Sequence, residues 1–185
     1  MKTKELILIG LFASIIAIST FIKIPIGPVP ITLQLPAILL TGFLLGSKRA
    51  SYSVLIYILV GLVGIPVFSF GGGLSSVLSP TFGFVIGFIF AAMIVGQSHR
   101  FKINIPLYIF LSICAIGVTY IFGVVHFYII MNFVLDTPYS LVGVLQVAVI
   151  PFAIKDIISA IITVFLAISL TKVGIGLNEC QNEAV

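Results

Sequence analysis

Charge is scarce in this sequence: nine Lys and Arg and five Asp and Glu among 185 residues, 8% of the chain. Average globular sequences carry roughly 25% charged residues. A chain this poor in charge, and 61% hydrophobic, has too little polar surface to face water and needs lipid. Cysteine is scarce as well. Cys114 falls inside an apolar run and Cys180 near the C-terminus, a placement that implies no disulfide pairing. No Gly-x-x-x-x-Gly-Lys-Ser/Thr stretch occurs, so the chain lacks a phosphate-cradling loop and cannot drive itself with nucleotide. His, Cys, Asp and Glu form no cluster fit for a metal, and no Ser/His/Asp set is placed to meet in one pocket. Neither an enzyme nor a resident metal or cofactor is expected, and the absence of a basic block with interleaved aromatics speaks against nucleic acid.

What is present is apolar sequence in long runs: residues 5–24, 33–47, 50–64, 80–97, 104–133 and 143–171. A spanning helix needs about 20 apolar residues, so the second and third runs predict short or tilted helices and the last two predict long ones. Lys23-Ile-Pro25 is no small-residue cleavage site, so the first run stays as a helix. Lys2, Lys4, Lys48, Arg49, Arg100, Lys102 and Lys172 all fall in the odd-numbered gaps of a six-span path. Those gaps should be cytoplasmic, with both termini inside. The reading is one all-α integral membrane domain over 1–185, a bundle of six transmembrane helices. Residues 174–185 form a polar cytoplasmic tail. His99, beside Arg100, is expected simply to be solvated.

Residues 65–81 are apolar yet full of helix breakers and cannot span. Such backbone is tolerated where it is buried in protein or lines a cavity, and Gly71-Gly-Gly73 leaves room for close approach; the competing reading is a flexible loop. The prolines at 25, 28 and 30 hold the first connection extended, as a lid or wall. Thr32 is either a ligand contact or a helix cap, and Gln34 brings both a donor and an acceptor.

Lys155 and Asp156 lie inside the sixth run, where ionisable groups are costly and usually functional. From a helix start near 143 they stand about 20 Å along. A mutually neutralised pair is the alternative, weakened because helix neighbours point about 100° apart. Phe152, Asp156, Ser159 and Thr163 share one face, which must turn inward, and Pro151 suggests a kink. On the fifth run, Tyr128 and Asn132 are candidates for the same site, although Tyr128 could equally anchor at the interface. His126 fits a packing role better. Gly10, Ala13, Ser14 and Ala17 make a small-residue stripe that lets a helix approach closely, inside the bundle or out of it.

Four segments together carry a resemblance. Gly27-Pro-Val-Pro-Ile-Thr-Leu-Gln34, Gly64-Ile-Pro-Val-Phe-Ser69, Ser79-Pro-Thr-Phe-Gly-Phe84 and Pro151-Phe-Ala-Ile-Lys-Asp156 resemble BioY. That family comprises the biotin-specific substrate-binding subunits of energy-coupling factor (ECF) transporters. The resemblance implies a multi-pass protein of the cell membrane, expected to be a bacterial plasma membrane, with a pocket near the outer surface. It implies a complex with one membrane coupling protein and two ATP-hydrolysing subunits, which Ala13 and Ala17 would dock. Biotin would meet Asp156 and Gln34 or Asn132 at its ureido group and Lys155 at its carboxylate or in balance with Asp156, while Phe68, Phe152 and Tyr128 enclose the rings and Thr32 stands at the rim. A self-sufficient secondary carrier, with Asp156 relaying protons, is the alternative; a membrane assembly factor with no small ligand is a third reading.

Overall fold

Backbone within hydrocarbon finds no water, so its N–H and C=O groups must pair within their own segment, and apolar runs of this length become helices. The computed structural model describes residues 3–24 and 29–175. Six helices follow in order: α1 Thr3–Phe21, α2 Gln34–Leu62, α3 Phe82–Val95, α4 Ile105–Phe133, α5 Leu141–Ala148 and α6 Ile150–Lys172. Two short strands, β1 Lys23–Ile24 and β2 Ile31–Thr32, pair antiparallel after α1. α1, α2, α3 with its short 3₁₀ extension, α4 and α6 are long and apolar enough to cross a membrane, and the chain is a multi-pass membrane protein. Of the residues the sequence singled out, Lys2, Pro25, Gly27, Pro28 and the tail from residue 176 on lie outside the described residues.

α2 is two helices joined at a reversal. In one continuous helix Gln34 and Tyr57 would stand about 35 Å apart, at 1.5 Å per residue, yet the amide Nε2 of Gln34 donates to the hydroxyl of Tyr57 at 2.7 Å. The chain turns back at Gly46, whose φ of 75° and ψ of 165° are non-helical and lie where a Cβ is strained. The arms 34–45 and 47–62 therefore run antiparallel. Groups released by the turn are taken up locally. His99 Nε2 donates to the carbonyl of Phe43 at 2.7 Å, Ser47 Oγ donates to Met93 O at 2.7 Å, and Gln97 Nε2 donates to Ser47 Oγ at 3.0 Å. His99, expected to be solvated, instead closes this reversal, because an interrupted helix leaves carbonyls that need donors.

The sixth apolar run is also divided. Pro151 has no N–H to give to the preceding turn, and the backbone breaks at Val149 (φ −125°, ψ −56°), ending α5 and starting α6. α5 begins at Ser140, whose hydroxyl accepts from Gly143 N at 3.1 Å, and α4 begins at Asn104, whose side chain accepts from Leu107 N at 3.3 Å; both are standard helix-start caps. With α6 beginning at Ile150, Asp156 stands in its second turn, about 9 Å from its start and not 20 Å along a longer helix.

The main core joins α1, both arms of α2, α3, α4 and α6, through residues such as Ile16, Ile38, Leu45, Val54, Ala92, Ala115 and Val164. A smaller cluster of Val29, Phe127, Val144, Ala148 and Phe152 closes one end. At the opposite end Arg49 pairs with Glu5 at 2.7 Å, tying the start of α1 to the α2 reversal. Lys4, Lys48, Arg100, Lys102 and Lys172 belong to the turns and helix ends on that same side. The β hairpin, the 63–81 connection and the α4–α5 turn lie on the other.

Candidate functional site

The site forms where three irregular features and two helices meet at the end away from the basic residues. The β hairpin leads into α2 and supplies Val29, Pro30, Thr32, Gln34 and Leu35 to a cavity. The 63–81 connection supplies Ser69, Phe70 and Thr81. α3 adds Phe84, Val85 and Phe88, α4 adds Thr119 and Tyr120, and the α5–α6 break adds Ala148, Phe152, Lys155 and Asp156. Apolar and aromatic walls around a few convergent polar groups are the usual make-up of a small-molecule pocket.

Backbone chemistry explains how the 63–81 connection reaches the cavity. Gly71 and Gly73 hold φ values of 120° and 95°, and a Cβ on Gly72 would run into the backbone of Ile65, so glycine is required for the loop to double back. Val67 and Phe68 turn inward and are buried, whereas Ile65, Leu74 and Leu78 remain exposed. The inward half of this apolar stretch is therefore a wall and the outward half is not. Lys23 Nζ fastens the hairpin to the loop by donating to Ser69 O at 2.7 Å. His126 Nε2 lies 3.1 Å from Val77 O and 3.2 Å from Ser79 O, holding the far side of the loop to α4 in the packing role the sequence favoured.

Asp156 is the charged centre, with a side chain only 5% exposed. A buried carboxylate is costly unless paired, and this one has a partner on each oxygen. The hydroxyl of Tyr120 donates to Oδ2 at 2.5 Å, and the ammonium of Lys155 pairs with Oδ1. Lys155 also donates to the carbonyl of Thr32 at 3.2 Å, linking α6 to the hairpin. The pair is thus mutually neutralised even though its members leave the helix about 100° apart. The long lysine stem curls back to its neighbour. Both residues still face the cavity.

Five of the eight ligand-binding candidates converge here: Asp156, Lys155, Gln34, Thr32 and Phe152. The amide of Gln34 leads into a chain through Tyr57, which donates to Val67 O at 3.3 Å. Thr32 Oγ1 accepts from Gln34 N at 3.3 Å, so Thr32 meets the first residue of α2 while it lines the cavity. The other three stand apart from the lining. Phe68 is buried behind it, edge-on to Tyr57 and Phe82 and stacked with Phe70; Phe70 carries the loop's aromatic face into the cavity. Asn132 uses its amide on backbone, donating to Tyr128 O and Tyr139 O and accepting from Tyr139 N within 3.1 Å. It ties the end of α4 to the following turn, and Tyr128 packs in the same small cluster.

On α1 the small stripe divides by helical phase. Ala13 is buried with Ile9, Phe12 and Ile16, and Ala17 is half-buried. Gly10 and Ser14 are exposed, and a Cβ on Gly10 would meet nothing within 4 Å. Ala13 thus belongs to the bundle, because it shares the face on which α1 meets α2; any outward surface runs through Gly10, Ser14 and the edge of Ala17.

Tyr120, Phe84, Phe88 and Thr119 are site residues that sequence reasoning missed. α3 and α4 are apolar on all sides, so no polar stripe marks the inward face. The one available sign was Tyr120 itself, a hydroxyl at mid-helix that needs a partner when buried.

Comparison with known proteins bears on this geometry. Residues 1–175 match the family described as the BioY family. The chain is 38% identical to the probable biotin transporter BioY of Lysinibacillus sphaericus, over 93% of this chain and 89% of that protein. It is 31% identical to the biotin transporter BioY of Thermotoga maritima, over 93% and 98%. Its fold is similar to the crystal structure of the S-component for biotin from an ECF-type ABC transporter, with a TM-score of 0.80, 28% identity and coverage of 93% and 95%.

Proposed function

This chain belongs to the BioY family, and from that premise we propose that it captures biotin in the cavity around Asp156 and delivers it across the membrane as the substrate-binding subunit of an ECF-type transporter. The observation that carries the reading is the convergence, in one apolar cavity, of a paired carboxylate, an ammonium and a carboxamide. Biotin offers two ureido N–H donors and a carbonyl on a mostly apolar bicycle, with a carboxylate at the end of a chain. Asp156 accepts from the ureido N–H groups, Gln34 serves the ureido edge, and Lys155 balances Asp156 or meets the carboxylate. Phe152, Phe84 and Phe70 enclose the rings.

The cavity lies away from the basic end, and basic residues mark the cytoplasmic side, so the cavity faces outward and both termini inward. Energy comes from a coupling protein and two ATP-hydrolysing subunits, since the chain has no nucleotide-binding loop of its own. The coupling protein docks on the outward small stripe of α1, at Gly10, Ser14 and Ala17. Equilibrium dialysis of the purified, detergent-solubilised chain against labelled biotin tests the reading. Saturable binding that unrelated vitamins do not displace is expected, and absence of saturable binding by a folded sample would overturn it.

A further inference from the structure

Tyr120 enters from α4 and touches the one buried carboxylate of the cavity, while its ring packs edge-on to Phe84 at 6.3 Å. A carboxylate has two oxygens and about four lone-pair positions. The Tyr120 hydroxyl donates to Oδ2 at 2.5 Å, while Lys155 is an ion-pair neighbour of Oδ1 that does not hydrogen-bond to it, so Oδ1 keeps its accepting positions. The carboxylate plane is fixed from two helices, and the remaining lone pairs are the ones a cavity ligand can reach. We propose that Tyr120 is a specificity-determining positioning residue: by holding Oδ2 it keeps the Asp156 carboxylate aimed, so that the pocket selects ligands that present N–H donors. This inference rests on the proposed capture of biotin, whose ureido N–H groups are the donors in question.

The geometry separates this role from ring packing. Phe at position 120 keeps the ring against Phe84 and removes only the hydroxyl. Asp156 then retains Lys155 alone and can turn, so its acceptor sites no longer face a fixed point. A ligand that gives N–H to the carboxylate loses affinity. A ligand whose ureido nitrogens carry alkyl groups has no such bond to lose.

The test compares wild type, Tyr120→Phe, Asp156→Asn and the double variant, each verified as folded, for equilibrium binding of biotin, of an N-alkylated biotin and of the amide formed at biotin's tail. Tyr120→Phe should weaken biotin and its tail amide by about tenfold, the worth of one hydrogen bond to a charged group. It should leave the N-alkylated analogue within about twofold, which shrinks the discrimination between them. In the Asp156→Asn background Tyr120→Phe should have little further effect. Equal losses for all three ligands would make Tyr120 a packing residue and overturn the inference, as would unchanged biotin affinity. The infrared difference spectrum of wild type against Asp156→Asn, which needs no substitution at 120, should show the phenol C–O band of Tyr120 shifting as its charged acceptor is lost; an unchanged phenol band would overturn the inference as well. A wild-type chain that binds no biotin overturns the proposed function and this inference together, whereas biotin binding that is indifferent to Tyr120→Phe overturns this inference alone.

Discussion

Asn132 and Asp156 show how a polar side chain in an apolar helix is put to one of two uses. Asn132 sits at the end of α4, where carbonyls lack helical partners, and its amide is consumed by the backbone of Tyr128 and Tyr139. Asp156 sits where its partners are side chains from another helix and its own, and those partners border a cavity. Asn132→Ala should therefore lower the apparent melting temperature in detergent, by an amount equivalent to about 1–3 kcal/mol for backbone groups left unpaired, while biotin affinity stays within about twofold. A large loss of affinity at unchanged stability would return Asn132 to the site. Residue type and depth, which a sequence displays, marked both positions. They could not separate the uses, because the deciding partner of Asn132 lies past the end of its own helix and that of Asp156 lies 36 positions earlier in the chain.

Breaks between elements carry more of this fold than the helices do. The runs 33–47 and 50–64 read as separate spans, and the reversal at Gly46 gives that reading its physical form within the single segment Gln34–Leu62. Gly46→Ala should cost about 1–3 kcal/mol for a side chain at positive φ, aggravated because its Cβ would press on the His99 ring at 3.1 Å; thermal unfolding of the purified protein measures it, and an unchanged melting point would mean the reversal does not depend on Gly46. Pro151 was a visible sign of a kink, and the backbone goes further by starting a new helix. The inward faces of α3 and α4 were not legible, since a helix apolar all round offers no contrast between lipid and protein sides. The phase of α1 was equally hidden. Its exposure now predicts that Ser14→Trp and Ala17→Trp leave biotin binding intact but abolish co-purification with the coupling protein and ATP-driven uptake, whereas Ala13→Trp disrupts the bundle itself. Normal assembly with Trp at both 14 and 17 would move the docking surface elsewhere.

As a whole molecule the chain separates its two ends by chemistry. One end gathers the basic turns and the Arg49–Glu5 pair; the other gathers the hairpin, the glycine loop and the cavity. This separation of ends was legible from charge alone, because the basic residues fall in alternate gaps of a multi-span path and alternate gaps share a side. Cysteines placed at 98–103 should therefore react with impermeant reagents only from the cytoplasmic side, and those beside Asp136 only from outside; reversed labelling would turn the cavity inward. The convergence of residues near positions 32, 70, 84, 120 and 156 was beyond sequence reading, since long-range packing in an apolar bundle has no local signal. The central claim is that this cavity captures biotin unaided, with Asp156 as its charged centre. It is tested most directly by titrating biotin into the purified wild-type chain and into Asp156→Asn, in detergent and without partner subunits. The account predicts saturable binding by wild type and a loss of about tenfold or more in the variant, from the charge-assisted hydrogen bond removed; equal affinity in the two folded proteins would contradict it.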